Sequence, residues 1–88
     1  MKKDKFVLLA HWGMDFDRTQ WVSSTQVIDG QYKTFLSNDL KDATYRNEKE
    51  AKSWAKEILK SPGASTWKIE VMPLEKAYDV KLVGQEQK

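Results

Sequence analysis

Cysteine is absent from this chain of 88 residues, and histidine occurs once. The lack of cysteine excludes a disulfide-stapled scaffold, thiolate metal ligands and a thiol nucleophile. The four glycines, at positions 13, 30, 63 and 84, are too scattered to form a phosphate-cradling loop. No serine stands in a nucleophile-elbow motif. We therefore predict a protein that is not an enzyme and that uses no cofactor or metal.

A strong excess of one charge is also absent, because 15 basic residues face 13 acidic ones and the net charge is +2. A nucleic-acid surface needs basic residues gathered on one face, so this balance is a weak argument for nucleic acid. The apolar run at residues 6–10 is too short for a membrane span or a signal peptide. We predict a cytoplasmic protein with one domain, residues 1–88, and flexible ends at about 1–4 and 84–88.

From Phe6 onward, apolar side chains occupy every second position, a pattern typical of a β-strand. The odd positions are apolar at first and polar from His11 onward, and Gly13 indicates a bulge or bend. One face of this strand is therefore expected to point into a core throughout. The apolar even positions are Phe6, Leu8, Ala10, Trp12, Met14 and Phe16.

The dipeptide Asp29–Gly30 lies between two strand-like runs and is a strong hairpin signal, because both turn positions favour positive φ. A two-residue turn there places Val27 opposite Tyr32 and Ser23 opposite Leu36. One face of the hairpin then collects most of the large apolar residues, which indicates a sheet covered on one side. Those residues are Trp21, Val27, Tyr32 and Leu36.

A helix is predicted after Asn47, a suitable N-cap with Glu50 three residues further on. Its apolar residues fall on one stripe, and the sequence Ser-Pro-Gly at 61–63 ends it. Two more strands are predicted, at 67–71 and 78–82. The fold class is α+β: a mainly antiparallel sheet of four to five strands with one amphipathic helix on one face, in the order β-β-β-α-β-β. The stripe comprises Ala51, Trp54, Ala55, Ile58 and Leu59.

Three polar residues, His11, Asp15 and Asp17, occupy odd positions and would share one strand face. One nitrogen and two carboxylates could hold a metal ion, or a carboxylate could orient a base. The alternative is a polar strand end that runs into a solvated turn, and we favour it. Trp21, just after this turn, is a candidate for a half-exposed interface ring. Together the four residues are the predicted interaction surface.

The segment at residues 43–55 carries an alanine and an aromatic residue at a strand end, followed by a capped helix beginning Glu-Ala-x-x-x-Ala. In this pattern it resembles small uncharacterised proteins encoded by phages and prophages of Gram-positive bacteria. The resemblance implies a role that occupies the surface of another macromolecule, and it implies no catalytic residues. The matching residues are Ala43, Tyr45, Glu50, Ala51 and Ala55.

The leading expectation is a small interaction protein, such as a host-protein inhibitor or accessory factor, that binds a protein partner through its sheet face or the turn at residues 13–21. One alternative is a nucleic-acid accessory protein, whose binding would weaken steeply with salt. The other is a small metal-dependent hydrolase centred on His11, Asp15 and Asp17. A homodimer is left open: an edge strand of the hairpin could pair across a two-fold axis, and Lys33 and Lys68 could instead prevent that pairing.

Overall fold

The computed structural model describes residues 5–82, which form a four-stranded antiparallel sheet with one main helix across it. The strands lie in the order β3-β2-β1-β4, so β1 and β2 are central. The predicted α+β class is confirmed. The strands are β1 (Phe6–Trp12), β2 (Arg18–Ile28), β3 (Gln31–Ser37) and β4 (Lys68–Pro73), and the helices are α1 (Glu48–Leu59) and the short α2 (Leu74–Ala77).

Strand β1 is buried on both of its faces. Its even positions, Leu8 and Ala10, pack with the apolar stripe of α1. Its odd positions, Val7 and Leu9, pack in a second cluster on the opposite face of the sheet. The expectation that the sheet is covered on one side was therefore wrong. The second face is covered by residues from the chain between β3 and α1 and from the chain after β4, namely Leu40, Ala43, Leu74, Ala77, Val80 and Leu82.

Helix α1 begins and packs as its sequence predicts. The side chain of Asn47 accepts a hydrogen bond from the backbone N–H of Glu50 at 2.8 Å, which satisfies one of the free donors of the first turn. Most of the stripe is buried against the sheet, and packing of this face is the main source of stability for so short a helix. The buried residues are Ala51, Trp54, Ala55 and Ile58.

The hairpin between β2 and β3 turns at Asp29 and Gly30, where φ is 53° and 78°. Val27 lies opposite Tyr32, as predicted. The predicted pairing of Ser23 with Leu36 was wrong, because a β-bulge between Val22 and Ser24 inserts one extra residue. Val22 therefore lies opposite Leu36.

Beyond this bulge, the distal part of the hairpin separates from the rest of the sheet. We call residues 24–35 the arm and the remaining sheet with α1 the body. The ladder between β1 and β2 ends at the pair Leu9–Trp21. The segment at residues 44–46 fills the gap that opens between the two strands. Thr44 donates its hydroxyl to the Ser23 carbonyl, and Phe6 forms a bridge with Arg46 through bonds of 2.7 and 3.0 Å.

The predicted strand at residues 78–82 is wrong, because none of these residues joins the sheet. Pro73 ends β4, and the short helix α2 turns the chain away from the strand direction. Val80 and Leu82 then pack on the second cluster instead of pairing with a strand. The predicted flexible ends at about 1–4 and 84–88 lie outside the described residues. Across residues 5–82, no helix has the length and apolar character needed to cross a membrane.

Candidate interaction surfaces

His11 lies near the end of β1, and its Nε2 atom is 3.1 Å from Oε1 of Glu70 on β4. Both side chains are accessible to solvent. The two strands are antiparallel, with Leu9 opposite Glu70, so His11 and Glu70 are diagonal neighbours on one face. Sequence reasoning did not pair them, because the pairing of β1 with β4 must be known before Glu70 becomes a neighbour of His11.

The structure does not bring His11, Asp15 and Asp17 together as a ligand set. Among residues 5–82 there is no group of three or more histidine, cysteine, aspartate or glutamate side chains that could hold a metal ion. Asp15 and Asp17 lie exposed in the turn after β1, while the polar neighbour of His11 is Glu70. The proposed metal-dependent hydrolase therefore lacks, in this part of the chain, the ligands on which it depended.

Trp21 does not lie on the surface, and its selection as an interface residue was wrong. The ring is 2% exposed and packs in the second cluster with Val7, Leu9 and Met72. The chain segments that cover this face of the sheet also cover the ring. This packing could not be inferred from the residues next to Trp21 in the sequence, because they are polar and indicated that the ring would be exposed to solvent.

The turn between β1 and β2 presents two large apolar side chains to solvent. Met14 is 82% exposed and Phe16 is 47% exposed. The alternation in the sequence had assigned both to the core face of β1, but the strand ends at Trp12 and the chain turns at Gly13. We call residues 13–17 the 13–17 loop.

The backbone of the 13–17 loop is tightly constrained. Gly13, Asp15 and Phe16 all have positive φ, at 90°, 58° and 56°. The left-handed region costs roughly 1–2 kcal/mol for a residue with a side chain. The φ of 90° at Gly13 is one that residues with a side chain rarely adopt, so this position favours glycine. Hydrogen bonds from Phe16 N to Gly13 O at 3.1 Å and from Asp17 N to Met14 O at 3.2 Å close the loop.

The strands that carry the 13–17 loop are joined by polar and aromatic contacts at its base. The indole N–H of Trp12 donates to Oε1 of Gln20 at 3.1 Å, and Gln20 in turn donates to Asn38 at 2.7 Å. The guanidinium carbon of Arg18 lies 5.9 Å from the centroid of the Trp12 ring, within the range of a cation–π contact. The loop therefore projects from a well-connected base.

A second surface feature is an open groove of about 690 Å³ between the arm and the end of α1. Tyr32 spans it by donating its hydroxyl to Oε1 of Glu57 at 3.4 Å, a long and weak hydrogen bond. Both signs of charge line the groove, so it is not a simple cation or anion site. Its lining comprises residues 30–34 of the hairpin, residues 60–64 after α1, Glu57 and Trp67.

In comparisons with known proteins, no protein-family model, no curated protein and no solved structure matches this chain.

Proposed function

We propose that the chain is a non-enzymatic interaction protein, encoded by a phage or prophage, that binds a protein partner through the 13–17 loop. The observation that carries the proposal is the exposure of Met14 and Phe16 on a loop with three positive φ angles. The phage or prophage origin comes from the resemblance at residues 43–55.

The 13–17 loop holds two large apolar side chains in contact with solvent. Burying a methionine or phenylalanine side chain contributes roughly 1.5–3 kcal/mol. In the free chain, Met14 and Phe16 are exposed, so much of this free energy is gained only when a partner covers them. Aromatic and methionine side chains are enriched among interface residues, and strained backbone is found most often at functional sites. A closed loop also loses less conformational freedom on binding than an open one.

The neighbours of these side chains define the kind of partner. Asp15 and Asp17 are exposed on the same loop and carry negative charge beside the apolar pair. The complementary surface is an apolar pocket with basic groups at its rim. Charges of both signs are mixed on α1, where Lys52 pairs with Glu48 at 3.0 Å, and this mixture favours a protein partner over nucleic acid.

The test is capture of partners from a lysate of the natural host, with and without nuclease and at two salt concentrations. The matched comparison is the double variant Met14→Ser/Phe16→Ser against Val27→Ser/Ile28→Ser, which removes two exposed apolar side chains from the arm. We expect one protein to be retained by the wild type and by the arm variant at both salt concentrations. The loop variant should lose it.

Thermal unfolding of each variant shows whether the fold is intact. The proposal is overturned if the loop variant, correctly folded, retains the same partner. It is also overturned if the captured material disappears on nuclease treatment or at high salt, since phosphate contacts then dominate the binding.

A further inference from the structure

Strand β3 forms one edge of the sheet and has backbone groups that point away from it. The two-residue turn makes Ile28–Gln31 a hydrogen-bonded pair, so the pairs Val27–Tyr32 and Thr25–Thr34 are not hydrogen-bonded. The N–H and C=O groups of Tyr32 and Thr34 therefore point outward. Among residues 5–82, neither residue has a backbone hydrogen bond to a turn, a loop or a helix cap. The backbone of another strand is the ligand that fits such an edge.

We propose that this edge pairs with β3 of a second copy of the chain, antiparallel and with the two-fold axis at Thr34. The sheets of the two copies then become continuous. Residues whose numbers add to 68 lie opposite each other across the axis. The resulting pairs are Thr34 with Thr34, Lys33 with Phe35, Tyr32 with Leu36 and Gln31 with Ser37, the second residue of each pair belonging to the second copy.

The charge on β3 selects this register. Lys33 is the one charged residue of the strand. A two-fold axis at Lys33 would place two ammonium groups directly opposite each other, which is unfavourable. An axis at Thr34 instead places each Lys33 beside Phe35 of the other copy. Phe35 is 41% exposed in the single chain, and a lysine beside an aromatic ring covers apolar surface and makes a cation–π contact.

The residue on the axis supplies a second observation. Oγ1 of Thr34 is shielded from solvent within the single chain, and within the described residues it has no hydrogen-bond partner. At the two-fold axis each Thr34 side chain faces that of the other copy. Rotation about χ1 would let the two hydroxyls bond to each other, an arrangement that stabilises cross-strand threonine pairs.

The first experiment is the mass of the full chain in solution, by light scattering and sedimentation up to about 1 mM, a concentration at which even weak interfaces are populated. We expect a dimer in the wild type. The variant Thr34→Pro should be monomeric at the same concentration, because proline removes an outward N–H group that β2 does not use. Thr66→Pro, in an exposed turn outside the sheet, is the control and should stay dimeric.

The register is tested with a cysteine, since the wild type has none and any disulfide formed must join two copies. Hydrogen-bonded antiparallel pairs have Cα atoms about 5.5 Å apart, within the range that a disulfide spans. Under mild oxidation, Thr34→Cys should form covalent dimers at least about tenfold faster than Lys76→Cys, an exposed control on α2.

A wild type that stays monomeric at the highest concentration overturns the proposal. Dimers that persist in folded Thr34→Pro overturn it too, because they would use another surface. Equal cross-linking rates at residues 34 and 76 would exclude this register. Folding of the proline variants is checked by circular dichroism. The proposal is supported if folded Thr34→Pro loses the dimer and folded Thr66→Pro keeps it. The Met14→Ser/Phe16→Ser variant should keep the dimer mass, so this test is independent of the loop.

Discussion

Val22 and Val27 lie on the same strand and on the same face, yet Val22 is 0% exposed and Val27 is 68% exposed. The bulge at Ser23 lies between them and separates the body from the arm. Their sequence surroundings are similar in strand propensity. The difference in burial comes from the surroundings of each side chain. Val22 packs against residues of α1 and β1, whereas Val27 is largely in contact with solvent.

The body and the arm are also held by different kinds of interaction. The body has two apolar clusters, one on each face of β1. The arm is tied to α1 by contacts that include a 3.1 Å hydrogen bond from the Trp54 indole to the Thr25 hydroxyl and the long bond from Tyr32 to Glu57. Regions with few buried apolar contacts open at lower free energy than the rest of a domain. The arm is therefore the part of the sheet that we expect to open first.

The largest effect is expected for Trp21→Ala, which removes a buried ring from the second cluster of the body. We expect the free energy of unfolding to fall by about 3–5 kcal/mol, the usual range for this change in a core. Urea denaturation measures it. Tyr78→Ala is the control, because Tyr78 is largely exposed and its loss should change stability by less than about 0.5 kcal/mol. Equal losses in the two variants would contradict the burial of Trp21.

A matched pair of substitutions tests the body against the arm directly. Val22→Ala should lower the free energy of unfolding by about 2 kcal/mol, since two fully buried methyl groups are lost. Val27→Ala should lower it by less than about 0.5 kcal/mol. Both are measured by urea denaturation under the same conditions. If both valines contribute equally, the arm is packed as tightly as the body.

A smaller loss than that of Val22→Ala is expected where the arm joins the body. Thr44→Val removes the hydroxyl that bonds to the Ser23 carbonyl at the bulge, and we expect a loss of about 1 kcal/mol. Hydrogen exchange should also quicken at amides of the arm relative to those of β1. Unchanged exchange in the arm would show that this bond does not hold the arm to the body.

Sequence patterns identified the elements whose signals are local. The alternation over residues 6–12, the Asp29–Gly30 turn and the capped stripe of α1 each depend on neighbouring residues, and all three are confirmed. The register beyond the turn was not predictable, because nothing in the residues around Ser23 distinguishes a bulge from a regular strand. A single extra residue there changed the partner of Leu36.

Burial on the second face of the sheet depends on distant segments, and here the sequence was less informative. Trp21 is covered by residues from the connection before α1 and from α2, which come together only after the chain has folded. Val80 and Leu82 alternate as a strand would, but the helical turn after Pro73 sends them to this face. Met14 and Phe16 continue the β1 pattern past its end, so the exposed loop was mistaken for core.

The pairing of residues 44–46 with β1 and β2 has a consequence for how this chain can change over evolution. Those bonds close the sheet at the point where the arm leaves it, so the body is complete without the arm tip. Insertions or deletions of four residues, two on each side of the turn, preserve the pairing of the remaining strand residues and keep a hydrogen-bonded pair next to the turn. The arm is therefore the segment in which length can vary while the core stays the same.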